Sequence, residues 1–310
     1  MARIESILVV IDPGAETHPA LDRAIYLATR LDMQVSLFIC DYDAGLVADK
    51  LLDKERLKAA KERTIQSHLT FLDDLSAKVA DAGIPFQVQA AWDRPLYEGI
   101  IRQALHSDAR YVLKDTHYHS VISRALFSNT DWHLIRSCPA PLWFVKPDVD
   151  IIRPSIMAAV DPLHDHDKPA ALDARILSEA CELADSLEGV AQVFHAFNPY
   201  LEPDDPQRIE TQHADALKTL TDKFVISDER IHLVAGVTSD IFQQVVREHA
   251  VNLVVMGSLA RSRLENAIIG STAENVLDHL SCDVLVIKPK GFISPVNLKQ
   301  RSRGYYYAER

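Results

Sequence analysis

The sequence predicts an α/β protein built from two tandem copies of one domain, each a parallel sheet flanked by helices. Three observations predict it. An apolar run ending in Asp-Pro occurs twice, as Ile7-Leu8-Val9-Val10-Ile11-Asp12-Pro13 and as Ile156-Met157-Ala158-Ala159-Val160-Asp161-Pro162. Each is followed by a polar loop and an amphipathic helix. Leu21, Ala24, Leu27, Ala28 and Leu31 on the first helix are matched in register by Leu177, Ala180, Leu183, Ala184 and Leu187 on the second. Each half then closes on a strand ending in Lys-Pro, Leu142 to Pro147 and Val284 to Pro289.

The remaining elements follow from period and punctuation. Apolar runs without alternation read as strands buried on both faces, as parallel strands under helices must be. Second strands fall at Val35 to Ile39 and Ala191 to Phe197, and fourth strands at Val112-Leu113 and Leu253 to Met256. Third units read as the strand Phe86 to Trp92 before a helix over Leu96 to Leu105, and as Ile231 to Ala235 before a helix over Asp240 to His249. Leu51 to Ala82 is a long charged helical stretch stopped by Gly83 and Pro85, and its counterpart is the shorter Pro206 to Phe224. Strand and helix alternate throughout, which argues for right-handed crossovers with helices on both faces. The seam lies near Asp148-Val149-Asp150, giving domains over 1–150 and 151–290. Residues 291–310 have no apolar period and read as a solvated or loosely docked C-terminal tail, with a partner-binding arm as the alternative.

Composition narrows the classes of function. Lysine plus arginine number 33 against 44 acids, a net charge of −11 that repels nucleic-acid phosphates and anionic membranes. Neither is expected as a partner. No apolar run approaches the roughly 18 residues of a membrane-spanning helix. The opening MARIESILVVIDPG carries no apolar signal segment with a small-residue cleavage site, so the expected location is cytoplasmic. Cys40, Cys138, Cys181 and Cys282 lie far apart without C-x-x-C spacing and read as buried thiols.

Chemistry in an open parallel sheet gathers outside the carboxyl ends of its strands, where strand order reverses. In the second half, strand four runs into Met256-Gly257-Ser258-Leu259-Ala260, and Gly270-Ser271-Thr272 precedes a helix over Ala273 to Leu280. Small residues let backbone N–H groups approach an anion, and a helix N-terminus adds a favourable dipole. Two ordinary turns with Ser271 or Thr272 capping the helix would use the same residues.

Gly257, two residues, Ala260, nine residues, then Gly270-Ser271, leading into TAENVLDHLSCDVLVIKP, resembles the universal stress protein family. Its nucleotide-binding members carry Gly, two residues, Gly, nine residues, Gly and Ser or Thr. The resemblance covers nearly the whole chain, because Asp12 and Asp161 also stand where that family has an acid, and the repeat places it with the tandem, two-domain (UspE-like) branch. It implies a doubly wound parallel sheet of five strands in each half, of the adenine nucleotide alpha hydrolase-like kind, and a cytoplasmic stress-response protein that senses ATP. By the resemblance, Asp161 and Pro162 would lie at the base or ribose, and Met256, Gly257, Ser258, Gly270, Ser271 and Thr272 would lie at the phosphates. Ala260 departs from the pattern, standing where the middle glycine belongs. A position needing positive φ would be strained by alanine.

The first half departs further. Aligned on the closing lysines, Asp115 stands for Gly257, Tyr118 for Ala260 and Ser128-Asn129-Thr130 for Gly270-Ser271-Thr272. Charge and bulk there would obstruct a triphosphate, so this half is expected not to hold nucleotide. Two histidine clusters, His117 with His119 and His164 with His166, have the neutral imidazoles and neighbouring acids that zinc accepts. Solvated polar loops are the preferred reading, because neither cluster alone supplies the usual four ligands. No catalytic motif stands out: P-loop, nucleophile elbow and His-Glu-x-x-His are absent from the sequence. The functional alternatives are a slow ATP hydrolase in the same pocket and an interaction protein with vestigial pockets. The halves are expected to pair as an internal pseudo-dimer, with a further homodimer left open.

Overall fold

A computed structural model describes residues 4–48, 53–119, 124–163, 171–199, 205–236, 238–258, 277, 280–298 and 305–310. In chain order the first repeat contributes β1 (Ser6–Val10), α1 (Pro19–Leu31), β2 (Gln34–Asp41), α2 (Ala44–Ala48), α3 (Lys54–Asp81), β3 (Phe86–Trp92), α4 (Leu96–His106) and β4 (Ala109–Asp115). It continues with β5 (His117–His119), β6 (Arg124–Leu126), α5 (Asn129–Ser137) and β7 (Leu142–Val145). The second repeat contributes β8 (Ser155–Ala159), α6 (Ala171–Ser186), β9 (Val190–Phe197), α7 (Pro206–Thr221), β10 (Ile231–Ala235), α8 (Thr238–Glu248), β11 (Leu253–Gly257) and β12 (Asp283–Ile287). A last strand, β13, covers Tyr306–Glu309.

Chain contacts divide the protein into two units. The first comprises Met1–Asp115, Asn129–Leu142 and Ile293–Arg310, with strand order β4-β1-β2-β3-β13. The pairs among β4, β1, β2 and β3 are parallel. The second comprises Thr116–Ser128 and Trp143–Phe292, with order β10-β9-β8-β11-β12-β7, and the pairs from β10 to β12 are parallel. In both units the first strand lies between the second and the fourth, so strand order reverses there. That reversal opens the crevice a doubly wound sheet offers to ligands.

Local physics explains the elements. All five residues of β1 are buried, as a strand covered on both faces requires. The inward faces of α1 and α6 match at four positions, Leu21, Ala24, Leu27 and Ala28 against Leu177, Ala180, Leu183 and Ala184, all buried; Leu187, just past α6, is buried, whereas its counterpart Leu31 is only half-buried. Asp53 caps α3 by accepting from the Arg56 N–H at 2.8 Å. The helix stops at Gly83, whose φ of +72° lies in the left-handed region that favours glycine. Asp205 caps α7 the same way, at 3.0 Å from the Arg208 N–H, with Pro206 at the first turn.

Three features go beyond the sequence reading. First, chain contacts place β7, apart from Leu142, in the second unit, beside β12. Asp283, fully buried, fixes it there by accepting from the Trp143 indole N–H and the Lys146 backbone N–H, both at 2.9 Å. The Lys146 ammonium donates to the Leu280 carbonyl. Second, β5 and β6 form a short antiparallel hairpin where a plain loop is expected after strand four. Third, the end of the chain is neither solvated nor loosely docked. β13 pairs antiparallel with β3, Tyr306 opposite Trp92 and Glu309 opposite Gln89. Arg310 N donates to the Val88 carbonyl at 3.0 Å, and the Arg310 guanidinium reaches Asp73 and Gln66. An uncovered β3 would present unpaired backbone groups along a sheet edge, and this strand satisfies them.

Candidate functional site

The second unit brings the ends of β8 and β11 together at its strand reversal. Ala159 pairs with Met256, so the chain leaving β8 toward Asp161 runs beside the chain leaving β11 toward Ser258. Of the residues read from sequence, Asp161, Pro162, Met256, Gly257 and Ser258 therefore gather at one crevice. Gly270, Ser271, Thr272 and Ala260 lie outside the described residues, as do His164 and His166. His117 and His119 are described in backbone only. Among the described residues, no cluster of three or more histidine, cysteine or acid groups is arranged to hold a metal.

The peptide unit before Asp161 is held from both sides. Its N–H donates to Asp173 Oδ1 at 3.1 Å, and its carbonyl, that of Val160, accepts from His195 Nδ1 at 3.0 Å. His195 Nε2 in turn meets His213 Nδ1 at 2.7 Å, and the two rings lie 4.9 Å apart. His213 also stacks on Phe197, with ring centroids 5.3 Å apart. Burial pulls the pKa of His195 below the ordinary imidazole value, with the Asp161 carboxylate pulling the other way. Burial likewise lowers His213, again opposed by Asp161. Both rings are thus neutral at pH 7, and Asp161 lies within electrostatic reach of each.

Gly257 has a packing reason for its identity. A Cβ there would stand 2.8 Å from Leu172 Cδ2 and 3.1 Å from Ile176 Cδ1, so α6 could not lie as close to β11 over any larger residue. Beyond it the Ser258 N–H donates to the Ile287 carbonyl at 2.9 Å, and its hydroxyl accepts from the buried Lys288 ammonium at 3.2 Å. Arg175 adds a bond to the Lys288 carbonyl at 2.7 Å. Closing strand and crevice floor are tied together.

The first unit has the same frame with different contents. Val10 pairs with Lys114 as Ala159 pairs with Met256, so Asp115 holds the position of Gly257, as the sequence alignment places it. Its carboxylate accepts the Ala20 N–H at 2.7 Å, at the first turn of α1. The protein's own anion occupies the positive end of that helix. Val10 also pairs with Phe38 as Ala159 pairs with Phe194, which equates Ile39 with His195 and Asp41 with Phe197. Here the helix histidine, His68 of α3, bonds Asp41 at 2.7 Å. That bond, the largest cause, holds the Asp41 carboxyl below the usual carboxylate range.

Sequence reading missed His195, His213 and Asp173. A histidine inside the apolar run Ala191 to Phe197 was the available signal. Its partner lies on another helix, 18 positions on, where no spacing rule reaches. The thiols stay inert: Cys138 and Cys282 are buried, and burial raises Cys282 to about 12 and Cys181 to about 11.

Sheet order, tandem repeat and a crevice at each strand reversal define a doubly wound α/β protein of two homologous halves. The family model described as "Universal stress protein family" matches residues 3–146 and 155–288. The chain belongs to the universal stress protein family, in its tandem branch. It is 30% identical over 313 residues to universal stress protein E of Escherichia coli K12, covering 96% of this chain and 98% of that one. The corresponding homolog of Haemophilus influenzae is 26% identical over 304 residues, covering 93% and 98%. Among solved structures, a functionally unknown protein of Pseudomonas aeruginosa PAO1 superposes with a TM-score of 0.74 at 28% identity, over 92% of this chain and 93% of that one. No helix among the described residues is long and apolar enough to cross a membrane.

Proposed function

We propose that this universal stress protein works in the cytoplasm as a sensor or regulator that binds ATP through its second half alone. The observation that carries the reading is the pairing of Ala159 with Met256, which sets Asp161 beside Gly257 and Ser258 at the strand reversal. The same position in the first half is filled by the Asp115 carboxylate on α1. A phosphate group approaching the first crevice meets a fixed negative charge at the helix end that would otherwise attract it. In the second half a glycine replaces that charge, and Asp161 supplies an acceptor for base or ribose. Gly270, Ser271 and Thr272 complete the phosphate side of the proposal by the family spacing.

Binding rather than turnover is the role the described residues suit. Both ring nitrogens of His195 are engaged, one with the Val160 carbonyl and one with His213, so this ring is not arranged to activate a water. The reading is tested by purifying the untagged chain under mild conditions, denaturing it and identifying the released small molecule by mass. Adenine nucleotide at up to one equivalent per chain supports it. Release of none, together with no heat on titrating millimolar ATP into the protein, refutes it in favour of an interaction protein with vestigial pockets.

A further inference from the structure

The hydrogen-bond chain from Val160 through His195 to His213 fixes where its protons sit. A backbone carbonyl can only accept, so His195 Nδ1 must carry a hydrogen to bond the Val160 carbonyl at 3.0 Å. A neutral imidazole has one N–H, which makes His195 Nε2 an acceptor. His213 Nδ1, 2.7 Å away, must then be the donor. Since His213 is neutral as well, its second nitrogen, Nε2, is a bare acceptor. With both rings neutral, the order cannot be reversed without breaking the bond to Val160. His195, at 1% exposure, has no water to turn to.

The second half therefore presents a bare imidazole nitrogen, Nε2 of His213, on a ring within electrostatic reach of Asp161 near the end of β8. Resting on the ATP reading above, we propose that His213 is a specificity-determining residue that recognises the purine by accepting a hydrogen bond from its 6-amino group and disfavouring a 6-oxo group. An amino group donates to a bare imidazole nitrogen, whereas a carbonyl oxygen in the same place sets lone pair against lone pair. Phe197, stacked on the His213 ring, holds the imidazole plane, and the Val160 carbonyl fixes its tautomer through His195. Among the described residues, the first half has no such reader. Its helix histidine, His68, is spent on the Asp41 carboxylate, and Ile39 replaces the tautomer-setting His195.

The test is calorimetric titration of the full chain with ATP and with inosine triphosphate at pH 8, where both imidazoles are neutral. The wild type is expected to bind ATP at least about tenfold more tightly than inosine triphosphate, the scale of one hydrogen bond made against one left unpaired. His213→Phe keeps the stacking on Phe197 and removes the acceptor, and should bring the ratio close to one. His213→Gln, whose amide oxygen is again an acceptor, should retain more of the preference than His213→Phe. Unfolding midpoints of both variants, followed by circular dichroism, establish that each is folded at the temperature of the titration. Equal affinity for the two nucleotides in the wild type overturns the assignment while leaving the ATP reading intact, as does an unchanged ratio in His213→Phe or equal loss in both variants. Failure of the wild type to bind either nucleotide overturns the ATP reading and this assignment together.

Discussion

The two crevices share a backbone and differ in how they dispose of charge. In the first, the Asp115 carboxylate lies on the first turn of α1 and Asp41 holds His68, so the polar groups of the crevice end satisfy one another. In the second, Gly257 replaces the carboxylate, and a histidine pair replaces the histidine–carboxylate bond. The first copy turns its own carboxylate onto the first turn of α1. The other copy places glycine where α6 presses closest.

The strongest asymmetry for stability lies at the closing strands. Asp283 stands where the first repeat has Pro141, since Val145 and Ile287 accept from equivalent N–H groups of Thr116 and Ser258. Asp283→Leu strands two buried donors, the Trp143 indole and the Lys146 amide, and should cost about 3 kcal/mol or more. Chemical denaturation read by tryptophan fluorescence measures it, and a loss below about 1 kcal/mol would mean the carboxylate does little to hold β7.

Acid separates the halves next. Because burial lowers the folded pKa of His195, the unfolded chain takes up a proton as pH falls below about 6.5 and the folded chain does not. Stability contributed by the neutral ring is therefore complete above that pH and lost as pH falls toward the folded value. His195→Ile, the residue of the first half, should flatten the fall in stability between pH 7 and 5.5 by up to about one proton, or 1.4 kcal/mol per pH unit. His18, His133, His213 and His232 are also lowered by burial, so a shallower slope survives. An unaltered slope in denaturation midpoints would show that His195 titrates normally.

Smaller effects follow at the two anion positions. Asp115→Ala removes the acceptor of the Ala20 N–H and should lower stability by about 1 kcal/mol, as loss of a helix cap does. Thermal unfolding decides it; no change would mean that the carboxylate contributes no net stability where it lies. Ala260→Gly should tighten ATP binding by up to about fivefold, equivalent to about 1 kcal/mol, if that turn needs positive φ. Weaker binding by calorimetry would show that alanine suits the turn.

Much of the fold was legible because its signals are local. The strands Phe86 to Trp92 and Ile231 to Ala235 coincide residue for residue with β3 and β10, and Gly83 stops α3 where glycine and proline punctuate the sequence. Pairing across long separations was not legible. Nothing in Tyr305-Tyr306-Tyr307 announces that it will meet β3 more than two hundred positions earlier, and nothing in Leu142 to Val145 announces that most of it joins the second unit. The site divides the same way. Asp161 and Gly257 were readable from strand ends and family spacing, whereas His195 and His213 become a pair only when α7 packs over β9.

The account rests on one occupied crevice per chain, and a calorimetric titration of ATP into the wild type, Asp161→Ala and Asp12→Ala tests it most directly. These acids hold equivalent places, since Val10 and Ala159 take equivalent partners on the neighbouring strands. One site per chain, weakened at least about tenfold by Asp161→Ala and left unchanged by Asp12→Ala, is the predicted result, tenfold being the scale of one charged hydrogen bond lost. Two sites per chain, or loss of binding through Asp12→Ala rather than Asp161→Ala, would contradict it.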